Sequence, residues 1–199
     1  MELRDRIKYF KESDNFWIGL LRDFLFVLIV VVIFSSISYI AMGRFSPMVA
    51  VESGSMKPHI QIGDIIFVES ADRTKITTYN EGKEMGYSTF DEYGDVILYK
   101  PRGKDGVTPI IHRAMFYVEE GQPMWPGGPA APFAGYITKG DNPITNSAYD
   151  QQGSISPHIP VKPEWVIGVA RLTRIPLLGC VSLVSRGINT CYEEYIKIR

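Results

Sequence analysis

The clearest pattern along the chain is a run of 19 residues without a charge, from Phe24 to Met42. As an α-helix it would be about 28 Å long, close to the ~30 Å hydrocarbon core of a bilayer. A cleavable signal peptide is the alternative, since small residues at 41 and 43 suit a cleavage site. However, the run exceeds the usual ~7–15 apolar residues of a signal peptide, and 23 residues precede it. The pattern therefore predicts one uncleaved transmembrane anchor.

Basic residues flank this anchor unequally. Five precede it: Arg4, Arg6, Lys8, Lys11 and Arg22. Only Arg44 and Lys57 lie in the twenty residues that follow it. Because Lys and Arg are enriched on the cytoplasmic side of a membrane, residues 1–23 are predicted to be a cytoplasmic segment. Residues 24–42 would then span the cell membrane once, and residues 43–199 would form an extracytoplasmic domain.

Beyond residue 43, short apolar runs alternate with turn residues, which is typical of a β-rich domain. The strand-like runs are IIFV (65–68), VILYK (96–100), PIIHRAMFYVEE (109–120), AGYITK (134–139) and EWVIGVARLT (164–173). Three polar or Pro-rich stretches between them resemble insertions: residues 69–93, 121–135 and 151–163. The predicted fold class is mainly β, behind one N-terminal transmembrane helix.

The C-terminal part carries one further apolar run, Ile175–Val184. It is too short to span a bilayer, so it would pack on the core or rest against the membrane surface. The two cysteines, Cys180 and Cys191, lack metal-type spacing with histidines. A disulfide between them is one possibility, but Cys180 lies inside the apolar run. Two free cysteines are therefore favoured.

Length and charge narrow the choice of function. The 199 residues allow one domain of catalytic size behind the anchor. The formal net charge of −1 provides no electrostatic reason to expect a nucleic acid as partner.

Candidate chemistry begins just beyond the anchor, in the stretch VESGSMKPHIQIGD, residues 51–64. A serine hydroxyl needs a general base and a stabilised oxyanion to act as a nucleophile. The backbone N–H of Ser55 and the hydroxyl of Ser53 are candidate oxyanion donors, and the glycine between them permits a close backbone approach. A Gly-Ser-Met turn is nevertheless more often only a turn.

The three histidines differ in their surroundings. His59 and His158 lie in segments rich in turn residues and are interpreted as bystanders. His112 lies in a strand-like run, on one face with Ile110, Ala114 and Phe116. A general base beside a serine would satisfy its ring nitrogens. Taken alone, however, a core histidine bonded to a backbone carbonyl is the more common arrangement.

Two aspartates are candidates to orient that imidazole. Asp141 follows a glycine, as do Asp64 and Asp95 at the starts of two strands, so it also suits a turn role. Asp150 follows Tyr149 and has no evident turn role. The sequence leaves the choice between Asp141 and Asp150 open.

The order SGSMKPHIQIGDIIFV, GDVILYKP, IIHRAM, TKGDN…D and VIGVARLTRIPLLG resembles the signal peptidase I family. Bacterial members have a lysine at the position of His112, whereas archaeal and endoplasmic-reticulum members have a histidine and add an aspartate. The chain resembles this second, Ser–His–Asp branch. It departs from the family pattern in having Pro143 after GDN and a longer gap before Asp150.

The resemblance implies a role for each candidate residue. Ser55 would be the nucleophile, His112 the general base and Asp150 the orienting carboxylate. Asp141 would support the site or be the third catalytic residue itself. Ser53 and the Ser55 N–H would stabilise the oxyanion.

The resemblance also implies a signal peptidase-like β catalytic domain that needs neither a metal nor an organic cofactor. The substrates would be signal peptides of exported preproteins, bound as extended strands and cut after small residues. The lipid bilayer and the protein translocation channel are further expected partners. Two alternatives stay open: a serine peptidase whose base is Lys100 or Lys139, and a non-catalytic, membrane-tethered β domain that binds extended peptides or a partner subunit.

Overall fold

The computed structural model describes residues 3–184 and Cys191. The chain divides into two compact units, Met1–Ser46 and Pro47–Arg199. The predicted extracytoplasmic domain runs to Arg199, so its residues 185–190 and 192–199 lie outside the described part.

The N-terminal unit contains helices α1 (Leu3–Glu12) and α2 (Phe16–Met42). Asn15 caps α2, because its side-chain oxygen accepts a hydrogen bond from the Trp17 N–H. Gly43 ends it in the left-handed conformation, with φ 69°. The predicted anchor 24–42 thus lies within a helix that begins eight residues earlier. Among the described residues, α2 is the one helix long and apolar enough to cross a membrane.

The second unit contains a six-stranded antiparallel sheet among its described residues, in the order β1-β2-β8-β5-β6-β7. Its strands are β1 (Met48–Ala50), β2 (Ile65–Ser70), β5 (Val96–Tyr99), β6 (Ile110–Val118), β7 (Gly135–Lys139) and β8 (Val166–Ile175). Strands β3 (Ser88–Thr89) and β4 (Glu92–Tyr93) pair separately. The described part of this unit also contains two short α-helices, α3 (Tyr79–Met85) and α4 (Leu178–Val184). The predicted fold class, mainly β behind one apolar helix, is confirmed.

Both faces of the sheet are covered, which explains why β5 reads as a continuous apolar run. Val96 and Leu98 belong to one buried cluster, and Ile97 and Tyr99 belong to a second. His112 pairs with Ile97 across the β5–β6 ladder, and the next residue, Arg113, pairs with Val96. Because cross-strand partners share a face, His112 and Arg113 point to opposite sides of the sheet.

One of the three predicted insertions contains a short helix and short strands, and the other two form isolated bridges. Residues 69–93 include α3 and strands β3 and β4. A capping box starts α3, with Thr78 and Glu81 bonding each other's backbone N–H. Residues 121–135 fold back on themselves through a bridge between Pro123 and Ala130. The third stretch, residues 151–163, is irregular but bridges β7 through Val161.

The expectation of two free cysteines is wrong, because Cys180 and Cys191 form a disulfide with their Cα atoms 5.8 Å apart. Burial of Cys180 is equally compatible with a thiol and a disulfide, so the apolar run carried no information about pairing. Gly63 adopts φ 84°, and a Cβ at this position would overlap both sulfur atoms of the disulfide. The backbone here therefore leaves room only for glycine. Cys180 and Leu183 are buried against Ala50 and Ile62. The inner face of the C-terminal apolar run therefore packs on the core.

Candidate active site

Ser53 and Ser55 lie in a turn formed by residues 53–60, here called the serine turn. Two of its side chains, Met56 and Ile60, are fully buried, in a cluster that also includes Ile111. Ser53 is exposed and Ser55 is half-buried. Their hydroxyl oxygens are 3.2 Å apart, within hydrogen-bond distance. Buried apolar side chains thus fix the turn and leave the two hydroxyls near its surface.

The GDN loop, residues 140–142, holds the serine turn from the end of β7. The backbone N–H of Asn142 donates to the carbonyl of Ser55 at 2.8 Å. Its side-chain Nδ2 donates to the carbonyl of Gly54, also at 2.8 Å. A Cβ on Gly140 would lie 2.6 Å from the Ser55 carbonyl oxygen. Glycine at 140 is therefore required for this close approach.

His112 and Asp150 form a buried pair. His112 Nδ1 lies 2.7 Å from Asp150 Oδ2, and the two side chains are 2% and 1% exposed. Because a carboxylate can only accept, Nδ1 carries the proton, and the lone pair of the neutral imidazole is on Nε2. This is the tautomer that a general base needs.

Asp150 Oδ2 accepts two more hydrogen bonds, from Tyr99 Oη at 2.8 Å and from Thr138 Oγ1 at 2.6 Å. Burial raises the pKa of Asp150. Hydrogen bonds from His112, Thr138 and Tyr99, together with the electrostatic attraction of the imidazole, outweigh burial and hold this pKa below its usual value. Burial and the nearby carboxylate raise the pKa of Tyr99 well above its ordinary value, so the phenol keeps its proton. Asp150 is thus held as an anion.

The aspartates that follow a glycine each pair with an arginine instead. Asp64 lies 3.2 Å from Arg174, Asp95 lies 2.7 Å from Arg171, and Asp141 lies 2.6 Å from Arg113. Asp141 also contacts Nδ1 of His59 at 2.8 Å. The structure therefore brings His112 together with Asp150, and Arg113 and His59 together with Asp141.

The two alternative lysine bases and His158 have other contacts. Lys100 Nζ lies 2.6 Å from Asp105 at the surface. The Nζ atom of Lys139 lies 6.0 Å from the centroid of the Tyr149 ring. His158 is exposed, and its ring centroid is 6.1 Å from that of Trp125.

Sequence reasoning missed four residues that shape this site: Tyr99, Thr138, Gly140 and Asn142. Tyr99 belongs to the strand-like run VILYK, is the last residue of β5 and shares the sheet face of His112. The other three belong to the stretch TKGDN, where only Asp141 was singled out. A hydroxyl at the buried end of a strand was the available signal for Tyr99 and Thr138.

Among residues 3–184 and Cys191, no group of three or more His, Cys, Asp and Glu side chains could hold a metal ion.

Comparison with known proteins gives partial matches. No protein-family model matches the chain. The signal peptidase complex catalytic subunit sec11 of Talaromyces marneffei is 32% identical over 114 residues, which cover 54% of this chain and 50% of that protein. The subunit SEC11 of Saccharomyces cerevisiae is 37% identical over 76 residues, covering 38% of this chain and 35% of that protein. The chain thus matches half or less of the length of these curated relatives.

A mainly β domain with one apolar N-terminal helix is consistent with the signal peptidase fold. The matches to the two catalytic subunits support membership of the signal peptidase family, in its endoplasmic-reticulum type.

Proposed function

We propose that this chain is a membrane-anchored serine endopeptidase that removes signal peptides from exported preproteins. The observation that carries the proposal is the buried pair of His112 and Asp150, held in the tautomer of a general base. The similarity to two signal peptidase complex catalytic subunits supports the substrate class.

In the proposed reaction, Ser55 Oγ attacks the carbonyl carbon of the scissile peptide and its proton passes to His112 Nε2. Asp150 stabilises the imidazolium through its bond to Nδ1. His112 then protonates the leaving amine, which departs and leaves an acyl-enzyme on Ser55. A water molecule, deprotonated by His112, hydrolyses the ester and restores the serine.

The oxyanion of each tetrahedral intermediate needs donors that are already in place. The Ser55 N–H and the Ser53 hydroxyl are the proposed donors. The 3.2 Å separation of the two hydroxyls keeps Ser53 beside the reacting oxygen. Asn142 supports this arrangement, because it fixes the carbonyls of Gly54 and Ser55 from outside the turn.

The proposed setting is a single-pass protein of the cell membrane with α2 as its anchor and its N-terminus in the cytoplasm. Met42 and Ser55 are thirteen residues apart, so the chain between them can extend at most about 43–47 Å. Preproteins cut after small residues would meet the enzyme at this membrane surface. Other subunits of a signal peptidase complex, the bilayer and the translocation channel are its proposed partners.

Cleavage of a preprotein by the purified chain in lipid tests the proposal. Ser55→Ala and His112→Ala should each abolish cleavage and the formation of an acyl-enzyme. His158→Ala, which changes an exposed histidine far along the chain, should cleave like the wild type. Activity that persists in Ser55→Ala would contradict the assignment of the nucleophile.

The two alternatives predict different results in the same assay. If a lysine were the base, Lys100→Met or Lys139→Met would abolish cleavage and His112→Ala would retain it. A non-catalytic peptide-binding domain would show no cleavage in the wild type. It would also show no labelling by a serine-reactive covalent inhibitor that depends on Ser55.

A further inference from the structure

The described residues contain a second histidine–aspartate pair, which joins the serine turn to the GDN loop. His59 Nδ1 lies 2.8 Å from Asp141 Oδ2. The His59 side chain is 20% exposed and that of Asp141 is 6% exposed. His59 stands four residues after Ser55, and Asp141 is the central residue of the GDN loop. The pair therefore joins the far end of the serine turn to the loop that contacts Ser55.

The same loop holds the near end of the turn through the residue after Asp141. Asn142 donates to the carbonyls of Gly54 and Ser55, each at 2.8 Å. The serine turn is thus attached to the GDN loop on both sides of Met56. Loss of the His59–Asp141 bond would keep the two Asn142 bonds at Gly54 and Ser55 but remove the bond from residue 59 to the loop.

We propose that His59 is a positioning residue for Ser55, which through its bond to Asp141 holds the serine turn in the reactive geometry. This inference rests on the proposed peptidase function. It also replaces the sequence-based interpretation of His59 as a bystander. The hydrogen bond, rather than a positive charge on the imidazole, is the property that matters.

The charges around the pair explain why neutral His59 is sufficient. Arg113 already balances the charge of Asp141, through Nε–Oδ1 and Nη2–Oδ2 contacts of 2.9 and 2.6 Å. A neutral imidazole with its proton on Nδ1 donates to the remaining lone pair of Oδ2. The other titratable groups that line the cavity beside His59 are Tyr79, Glu92 and Lys139.

Asp141 is itself anchored to the rest of the sheet, so it provides a rigid partner for His59. Arg113 is 1% exposed, and its Nη1 donates to the carbonyl of Gly94 at 2.9 Å. Further carbonyls of the β3–β4 region, those of Thr89, Glu92 and Tyr93, lie 3.1–3.2 Å from the same nitrogen. Through Arg113, the residue after His112, the position of the serine turn is tied to the strand that carries the proposed base.

The test compares His59→Ala with His59→Asn, whose side-chain amide nitrogen can replace Nδ1 as donor. We expect His59→Ala to lower kcat for preprotein cleavage by about 10- to 100-fold, because a small displacement of a nucleophile has an effect of this size. KM should stay near the wild-type value. His59→Asn should recover most of kcat, and the matched control His158→Ala should leave both constants unchanged.

Hydrogen exchange of the full chain in detergent provides a readout that does not depend on catalysis. Exchange of the amides in residues 53–60 should rise in His59→Ala and return to the wild-type rate in His59→Asn. Faster exchange across all strands of the sheet in His59→Ala would indicate general unfolding. In that case kcat of the folded His59→Asn variant would test whether His59 positions Ser55.

Three results would overturn the inference: wild-type kcat in His59→Ala, loss of activity in His59→Asn as complete as in Ser55→Ala, or unchanged exchange in residues 53–60 of His59→Ala. The second of these would make the imidazole a catalytic group rather than a positioning one. Absence of cleavage by the wild type would instead contradict the proposed function, while the exchange measurement would still test the contact.

Discussion

Thr138 and Asp150 are joined by two reciprocal hydrogen bonds. Thr138 Oγ1 donates to Asp150 Oδ2 at 2.6 Å, and the Asp150 N–H donates to the Thr138 carbonyl at 2.9 Å. They are twelve positions apart in sequence, and the whole GDN loop lies between them. These bonds place Asp150 beside β7, where it reaches the imidazole of His112 on the neighbouring strand β6.

Substitution Asp150→Asn tests which aspartate serves His112. An amide can present its NH2 group to Nδ1, which favours the tautomer with the proton on Nε2 and removes the basic lone pair from the reacting side. We expect kcat for preprotein cleavage to fall by about 10³- to 10⁴-fold, with the fold retained by circular dichroism. A kcat within threefold of the wild type would exclude Asp150 from the role of orienting carboxylate.

Substitution Tyr99→Phe tests the buried phenol that bonds Asp150. Loss of a hydrogen bond to a charged group should lower the stability by about 1.5–3 kcal/mol, or Tm by about 3–12 °C for a chain of this size. Thermal unfolding of the full chain in detergent at neutral pH measures the difference. An unchanged Tm would mean that the remaining two donors fully compensate.

The pH dependence of that difference has a defined sign. The pKa of Asp150 is lower in the folded protein than its usual value. Its contribution to stability is therefore present above the unfolded-state pKa and is lost as the pH falls through the folded-state pKa. The Tm difference between the wild type and Tyr99→Phe should shrink as the pH is lowered through this acidic range. A difference that grows in acid would contradict the assigned direction of the pKa shift.

Substitution Gly140→Ala tests the close contact between the GDN loop and Ser55. The new Cβ would lie 2.6 Å from the Ser55 carbonyl oxygen and 2.7 Å from Asn146 Cγ, so the loop must move. We expect kcat to fall by about 10-fold or more. Gly153→Ala is the matched control, because its Cβ would meet only the Asp150 carbonyl oxygen at an ordinary 3.8 Å. Equal activity of the two variants would show that the loop adjusts without displacing Ser55.

The disulfide between Cys180 and Cys191 allows a test of the proposed extracytoplasmic placement of the β unit. Disulfides persist outside the cytoplasm and are rare within it. We therefore expect the exported protein to resist thiol alkylation until it is reduced. Reduction should destabilise it by about 2–4 kcal/mol. Two alkylated thiols in the unreduced protein from intact cells would contradict the proposed orientation.

The fold class could be predicted from local patterns because they follow from short-range physics. A long uncharged run forms a helix in an apolar medium, and short apolar runs bounded by Gly and Asp form strands. Helix α2 begins eight residues before the predicted anchor 24–42, because Asn15 caps it and the helix continues through the charged residues Arg22 and Asp23. The capping box of Thr78 and Glu81 was present in the sequence but was not recognised within the predicted insertion 69–93.

The residues of the candidate site were identified by type, but their pairing was not. Asp141 and Asp150 lie in one polar stretch, and composition or spacing could not decide which of them meets His112. Sequence spacing also could not give the partner of His59, which is the nearest histidine to Ser55 in sequence but bonds Asp141. The two cysteines were judged by burial alone, and burial does not distinguish a thiol from a disulfide.

The sequence by itself determined the apolar helix, the order of the strands along the chain and the chemical types of the candidate site residues. Those properties depend on neighbours within a few residues, through helical rise, strand alternation and turn preference. Only the tertiary structure decided the partners, because they depend on strand order and register. Strand order and register put His112 and Arg113 on opposite faces of one sheet. Asp150 therefore bonds His112, and Asp141 bonds Arg113.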